Sequence, residues 1–543
     1  MLRKTLAGAA AALLASTAAT APAQQGGKEI NLTATHGGAG WQQASSKHFV
    51  VYSYDTPQHV GQYAARLERF DKAMRVFHGT PEDRRGDASR VTVFVLDSVG
   101  DVQKLAHGRR IAGYYNPVLK PMAFMPRNGG EGSDYGLTPL VVMFHEYTHH
   151  WMLTTWTDAA FPAWYVEGAA ELHATALVRD NGVTFGAPPT YRRYGVGWSD
   201  AMPADLLLRA IPGKLSDKEA AALYGRGWLL TNYLTFDNDR RKLLADYVKA
   251  INSGKSINEA AKVFGSGVAL DGKLNGYGQR QGLPSITLPA SELPIGEVTV
   301  RTLGAGEAAI MPALIRSKAV VDKGSAPAVA ALARQIAARY PSDAFVQNEL
   351  AEAEYDAAST GDKASAAAGY AQASAAADRA LAADPKSVHA MLYKGMIAEA
   401  AAVNAKNDPA AWQAARKWYL SANRADPEDA EPLISYYASF LAAKQTPTPG
   451  AVKGLYYAYA LAPHDIDTRM YAAQAYLREG KAAEARIAIA PIAYRPDIGA
   501  AGEKLRKVLA MLDANDSKGA LAELDKKTGP ANCDKTSSGA CPS

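Results

Sequence analysis

The amino-acid sequence predicts an α+β N-terminal domain followed by an all-α domain of helical repeats. Apolar runs typical of strands and amphipathic patterns typical of helices share the first half of the chain, with most strands before most helices. Beyond about residue 325, Ala-rich amphipathic patterns dominate, and a proline recurs every 33 to 44 residues. A chain of 543 residues is long enough for about two to four domains.

The first 23 residues have the three parts of a secretory signal peptide. Arg3 and Lys4 form a positive end, residues 6–15 form an apolar run, and residues 21–23 offer small side chains for cleavage. This apolar run is too short to cross a bilayer comfortably, and no other segment is apolar over a sufficient length. We therefore expect a mature chain that has no membrane span and is periplasmic or secreted.

The α+β domain is predicted to cover residues 46–275, after a flexible segment over 24–45 that is rich in Gly and Gln. Its strands are expected where apolar, β-branched and aromatic residues cluster between turn signals. These strands are predicted at 47–54, 90–97 and 121–127.

The helices of this domain have recognisable start signals. The first is predicted over 55–77 and the second over about 138–151. Pro162 begins a third helix over PAWYVEGAAELHATALV, because proline is tolerated in the first turn. Ser216 and Glu219 form a capping box in front of a fourth helix.

The remaining segments differ in composition. Residues 276–324 contain Pro, Gly and β-branched runs and are predicted to be a β-rich connecting segment. Residues 325–525 form the helical domain, and residues 526–543 form a flexible tail with Cys533 and Cys541. In an oxidising compartment these two cysteines either close a small loop or remain free thiols.

The recurrent prolines of the helical domain lie at predicted junctions between helix pairs. Together with the phrase A-x-x-x-D-P, their spacing resembles tetratricopeptide repeats over 325–525, and the alternative is a plain helical bundle. The resemblance implies a concave surface for a protein partner or a substrate. These prolines are Pro341, Pro385, Pro427, Pro463 and Pro496.

The stretch FHEYTHHW, residues 144–151, contains three of the eleven histidines. His145 and His149 are four residues apart, so a helix places them on one face. Glu146 lies beside the first histidine, where a carboxylate can accept a proton from a metal-activated water. This H-E-x-x-H arrangement predicts a zinc (Zn²⁺) site, because neutral imidazole binds zinc well. The alternative is a polar helix face with solvated histidines.

A catalytic zinc site needs a third protein ligand, and the next helix offers Glu167 and Glu171. These glutamates are four residues apart, where two negative charges destabilise a helix unless a cation or an imidazolium is close. We predict Glu167 as the third ligand and Glu171 as an acceptor that orients His145. The alternative is two solvated glutamates.

Two further histidines lie near these motifs. His150 points away from the face of His149, and we predict that it is structural or supports the site from behind. His173 lies on the helix of Glu167 and is a secondary candidate for a ligand.

H-E-x-x-H followed by W-x-x-E-G-x-A-E is similar to the gluzincin metallopeptidases, and it looks closest to their exported peptidase MA-like branch. The resemblance covers residues 45–275. It implies that Glu167 is the third zinc ligand and that Glu171 lies behind the ligands. It also implies that Tyr224, in LYGRGWLLTNYL, stabilises the oxyanion of the reaction, whereas the alternative for Tyr224 is a packed helix residue.

One part of the family pattern is absent. Aminopeptidase relatives hold the amino terminus of the substrate with a Gly-x-Met-Glu-Asn strand, and this sequence has no such phrase. PMAFMPR, residues 121–127, is a candidate edge strand for an extended substrate but lacks the acidic residue. The sequence therefore does not support exopeptidase activity and leaves endopeptidase activity as the default.

These patterns predict an exported zinc metallopeptidase that hydrolyses peptide or protein substrates, with helical repeats that bind a protein partner. A second hypothesis is a catalytically idle peptidase relative that acts as a binding scaffold through its repeats. The net charge is only +5, and Lys and Arg are not clustered with aromatic residues, so no nucleic acid is expected as a partner.

Overall fold

The computed structural model describes residues 39–526, except for 84, 107–110, 128–136, 193–201, 212–213, 320, 406–407 and 496–498. The predicted signal peptide, residues 24–38 and the part of the tail that contains Cys533 and Cys541 lie outside the described residues. Within the described part, an α+β region is followed by a largely helical region, as the sequence predicts.

A mixed sheet forms the centre of the first region. Its strand order is β4-β5-β3-β2-β1-β9, in which β2, β3 and β5 are parallel and the outer strands are antiparallel to their neighbours. The strands are β1 (Gly40–Ser45), β2 (Phe49–Asp55), β3 (Val91–Leu96), β4 (Tyr114–Asn116), β5 (Met122–Pro126) and β9 (Thr299–Thr302).

Two predictions about this sheet are wrong. The segment 24–45 is not flexible throughout, because its last six residues form β1, which gains hydrogen bonds from β2 and from the distant β9. Residues 121–127 do not form an edge strand, because β4 covers β5. A strand of three residues such as β4 is too short to give a recognisable sequence pattern.

The helices of the first region pack on the sheet and on each other. Thr56 accepts a hydrogen bond at the start of the first helix, and the predicted capping box of Ser216 and Glu219 is present at the start of the sixth. The helices are α1 (Pro57–His78), α2 (Val99–Leu105), α3 (Pro139–Thr155), α4 (Ala163–Ala174), α5 (Ala204–Leu208), α6 (Asp217–Thr235), α7 (Asn238–Asn252), α8 (Ile257–Ala260) and α9 (Gly267–Gly278).

The helix predicted from Pro162 ends earlier than expected. It stops at Ala174, and its predicted last residues belong to a small antiparallel sheet. The sequence Asp180-Asn181-Gly182 supplies the turn of this hairpin, and Gly182 has a φ of 147°. The strands of the small sheet are β6 (Leu177–Arg179), β7 (Gly182–Phe185) and β8 (Ile286–Pro289).

The second region is helical, and consecutive helices pack against each other. Its first helix lies in the predicted β-rich connecting segment, which is therefore only partly β. The sequence pattern did not reveal this helix because it contains Pro312, and proline usually ends a helical pattern. The helices are α10 (Ala305–Lys318), α11 (Ala326–Ala337), α12 (Ala344–Thr360), α13 (Lys363–Ala383), α14 (Val388–Asn404), α15 (Pro409–Ala425), α16 (Ala430–Ala442), α17 (Pro449–Leu461), α18 (Ile466–Arg478), α19 (Ala482–Ala493), α20 (Gly499–Asp513) and α21 (Ser517–Asp525).

The recurrent prolines that the structure describes lie at junctions between helices. Four of them, Pro341, Pro385, Pro427 and Pro463, lie between two consecutive helices. Pro496 lies outside the described residues. No helix in the described part of the chain combines the length and the apolar character that a bilayer crossing requires.

The two regions share apolar cores. One core contains buried residues of β2, α1, α3 and α4 together with buried residues of α18 to α21. The opposite face of the sheet, with Tyr52 and Phe94, packs against Met311 and Leu314 of α10. Because apolar burial is the main stabilising contribution to folding, the helical region is part of the support for the first region.

Arg469 of α18 fastens the two regions in a second way. Its side chain is fully buried, and its guanidinium donates two hydrogen bonds of 3.1 Å to the carbonyl oxygen of Thr157. It also donates to the carbonyl oxygens of Ala488 and Pro463. Thr157 lies in the connection between α3 and α4, so α18 holds the segment that joins the two motif helices.

Candidate metal centre

Helix α3 presents the H-E-x-x-H motif from a buried position. Thr138 caps the helix by accepting a hydrogen bond from the backbone N–H of Val141, and Pro139 occupies the first turn. His145 is buried, whereas Glu146 and His149 are partly exposed. The motif therefore lies where a buried helix face meets solvent.

Helix α4 carries the second motif and is almost entirely buried. Glu167 and Glu171 lie on one face of it, with side chains that are 4% and 0% exposed. Burying carboxylates without partners is costly, so these two positions need cations or hydrogen-bond donors.

The two helices bring the three predicted ligands together. The Nε2 atoms of His145 and His149 are 3.2 Å apart. Glu167 Oε2 lies 3.3 Å from His145 Nε2 and 3.7 Å from His149 Nε2, and it makes no well-aligned hydrogen bond. Three converging ligand atoms of these types form a group that could hold a metal ion.

His145 is held between two carboxylates. Its Nε2 faces Glu167, and its Nδ1 lies 3.3 Å from Glu171 Oε1. Burial alone would lower the pKa of His145, but the contacts with both carboxylates outweigh burial and raise this pKa to about 10. The arrangement fixes the ring orientation, as the prediction for Glu171 requires.

Glu171 is supported by two residues that the sequence did not identify. Arg192 donates from Nε and Nη2 to Glu171 Oε1 at 2.9 and 2.8 Å, and Tyr191 donates to Oε2 at 2.8 Å. Although burial opposes it, the charges of Arg192 and His145 lower the pKa of Glu171 to about 2. Arg192 supplies the positive charge that offsets the repulsion between Glu167 and Glu171. No local pattern in the sequence links positions 171 and 192.

Tyr224 lies beside the ligands because α6 packs closely on α4. A Cβ atom on Gly168 would lie 2.4 Å from the carbonyl oxygen of Gly227, so the contact requires glycine at position 168. The ring centroid of Tyr224 is 6.0 Å from that of His145, and the guanidinium of Arg192 lies 4.4 Å from the Tyr224 ring.

The electrostatics of Tyr224 keep its phenol protonated. Burial raises the pKa of Tyr224 well above its usual value, and the charge of Glu167 raises it further. Arg192 opposes this effect, while Glu171 and Glu146 add to it. The phenol therefore remains a neutral O–H donor at any physiological pH.

The other two histidines lie away from the three ligands. His150 Nδ1 is 2.7 Å from Tyr115 Oη, and its ring packs against His464 of the helical region. His173 Nε2 is 3.0 Å from His78 Nε2 inside the core. His173 is therefore not brought into the ligand group, and His150 has the structural position that its helix face predicts.

A cavity of about 30 Å³ adjoins His149, which is room for about one water molecule. Most of its wall is apolar and comes from α3 and from the connection between α3 and α4. The helical region contributes Pro491 and Arg495 to the same wall. The surroundings of the centre are thus built by both regions.

No model of a known protein family matches the chain, and no curated protein matches it.

Proposed function

We propose that this chain is an exported zinc-dependent metallopeptidase, in which His145, His149 and Glu167 hold the metal. The observation that carries the proposal is the convergence of three ligand atoms on one point between α3 and α4. Zinc bonds of about 2.0 to 2.1 Å in a tetrahedron separate neighbouring ligand atoms by roughly 3.3 Å. The distances of 3.2, 3.3 and 3.7 Å fit that geometry.

The environment also fits a cation. Glu167 Oε2 is buried and lacks a hydrogen bond of its own, a state that a bound metal would relieve. Two imidazoles and one carboxylate are a donor set that zinc accepts in catalytic sites. Zinc held there would act as a Lewis acid toward a peptide carbonyl and would lower the pKa of water.

Glu146 and Tyr224 supply the groups that move and stabilise charge. Glu146 follows His145 on α3 and is partly exposed, so its carboxylate can reach solvent. We assign it the role of accepting a proton from the attacking water and delivering it to the leaving amine. Tyr224 donates a hydrogen bond to the carbonyl oxygen as negative charge develops there.

The second region gives the enzyme a protein-binding surface in this proposal. Helical pairs separated at recurrent prolines are consistent with tetratricopeptide-like repeats, which bind peptides and proteins on a concave face. The substrate is then a peptide or protein outside the cytoplasm, in keeping with the export signal that the first 23 residues predict.

The test measures metal content and peptide cleavage on tag-free mature protein loaded with zinc and freed of excess. We expect one zinc at this centre, its loss in His149→Ala, and its retention in Glu146→Gln with loss of cleavage of a mixed peptide library. His59→Ala, which removes a histidine outside the ligand group, is the matched control. An absence of zinc at the centre, or full cleavage by Glu146→Gln, would contradict the proposal.

A further inference from the structure

A second group of histidine and carboxylate ligands lies in the helical region. Glu349 and Glu352 are one turn apart on α12, and His389 is at the start of α14. One ligand atom from each residue lies within 4.8 Å of the others. His389 Nε2 is 3.3 Å from Glu352 Oε2.

Glu349 is a buried carboxyl group with one oxygen atom that lacks a hydrogen bond. Its side chain is 7% exposed, and its Oε2 is buried without a hydrogen-bond partner among the described residues. Burial raises the pKa of Glu349, and the charge of Glu352 adds to this effect against the opposing charges of Lys318 and Lys120. Lys120 forms its ion pairs with Asp429 and Glu431 instead.

We propose that Glu349, Glu352 and His389 form a second metal site, which takes a divalent transition-metal ion. Two carboxylate oxygens and one imidazole nitrogen suit zinc and manganese. The site would join α12 to α14 near the face of the sheet that carries Tyr52, whose pKa is raised mainly by burial and further by the charge of Glu349. Its role is to stabilise the contact between the first helices of the second region and the sheet.

Lys318 would compete with the metal ion for the carboxylate of Glu352. Its ammonium contacts Glu352 Oε2, but the side chain is 25% exposed and has a flexible stem that can turn to solvent. A metal site and a plain ion-pair network respond in opposite ways to the loss of this lysine. Lys318→Met would strengthen metal binding by about tenfold because it removes a like charge, whereas it would only weaken an ion-pair network.

The experiment uses the full chain with the first centre removed by His149→Ala and Glu167→Gln, without a histidine tag. It measures bound Zn²⁺ and Mn²⁺ separately by elemental analysis and follows the melting temperature with and without each ion. We expect one ion per chain and a rise in melting temperature on addition of metal. Adding Glu349→Gln or His389→Phe should abolish both effects, and the phenyl ring keeps the contact of His389 with Tyr393.

Two results would overturn the second site. One is an absence of both ions from the background chain, and the other is binding that survives Glu349→Gln and His389→Phe together. Circular dichroism spectra of each variant establish that it is folded. Metal content of Glu349→Gln in the otherwise natural chain reports the first centre alone, so failure of one site is distinguishable from failure of the other.

Discussion

The two regions of the molecule each contain a buried group of histidine and glutamate side chains, but they place the neighbouring cation differently. In the first region, Arg192 binds Glu171, which stands behind His145 and leaves Glu167 facing the histidines. In the second region, Lys318 contacts Glu352 itself. The same residue types are therefore available to bind a metal where the nearest cation pairs with a supporting carboxylate, and they must exchange a bound lysine for the metal where the cation pairs with a ligand carboxylate.

Among the substitutions that separate the two groups, Glu146→Gln should have the largest effect on peptide cleavage. We expect peptide cleavage to fall roughly 10²- to 10⁴-fold, because a general base is lost while the ligands remain. The matched change in the second region, Glu349→Gln, should leave cleavage unchanged. Steady-state cleavage rates and metal content of both variants provide the check, and equal losses of activity would remove the distinction between the groups.

Tyr224→Phe should lower kcat by about 10²- to 10³-fold, which is the effect of removing one hydrogen-bond donor to a developing oxyanion. Metal content should not change, since the phenol is not among the converging ligands. Tyr52→Phe, beside the second group, is the control and should retain full activity. A Tyr224→Phe enzyme with natural kcat would assign Tyr224 to packing.

Glu171→Gln should weaken metal binding at the first centre by about 10- to 100-fold, because His145 loses the carboxylate that orients it. Competition with a chromophoric chelator measures this affinity. The double variant Glu171→Gln with Arg192→Met avoids leaving a buried guanidinium unpaired. It tests whether the loss of metal affinity comes from the altered orientation of His145. An unchanged affinity in both variants would show that the support of His145 is dispensable.

The last predicted effect acts on stability and not on activity, and it is a pH dependence to which one histidine of each region contributes. Burial lowers the pKa of His78 to about 4 and the pKa of His464 to about 3. Below about pH 6.5 the unfolded chain binds protons that these folded histidines do not, so the free energy of unfolding decreases as pH falls. Each histidine contributes a slope of about 1.4 kcal/mol per pH unit down to its folded pKa.

Urea unfolding of metal-free protein between pH 4 and 6.5 measures this slope. His78→Gln and His464→Gln should each reduce it, and the double variant should reduce it further. If neither substitution changes the slope, these two histidines are not held neutral by burial.

Local patterns were sufficient for much of the first region. The helix predicted over about 138–151 corresponds to α3, and the capping box placed the start of α6. The spacing of four residues placed His145 beside His149 because a helix repeats its faces at that interval. These features depend on residues that are close in the chain.

The features that the sequence missed depend on distant residues. Strand β1 is completed by β9, which lies more than 250 residues later in the chain. Arg192 reaches Glu171 from a separate segment, and His389 joins Glu349 from another helix. No periodic pattern records such pairs, because their proximity is produced by the packing of whole elements.

The hydrogen bonds from Arg469 to Thr157 make the segment between the motif helices depend on a distant part of the chain. The connection between α3 and α4 is held by a side chain that lies more than three hundred residues later in the chain. Without α18 to α21, the apolar surfaces that these helices cover in the shared core would be open to solvent. The support of the motif helices is therefore non-local, and a chain that ends before α18 would lack both these hydrogen bonds and this part of the core.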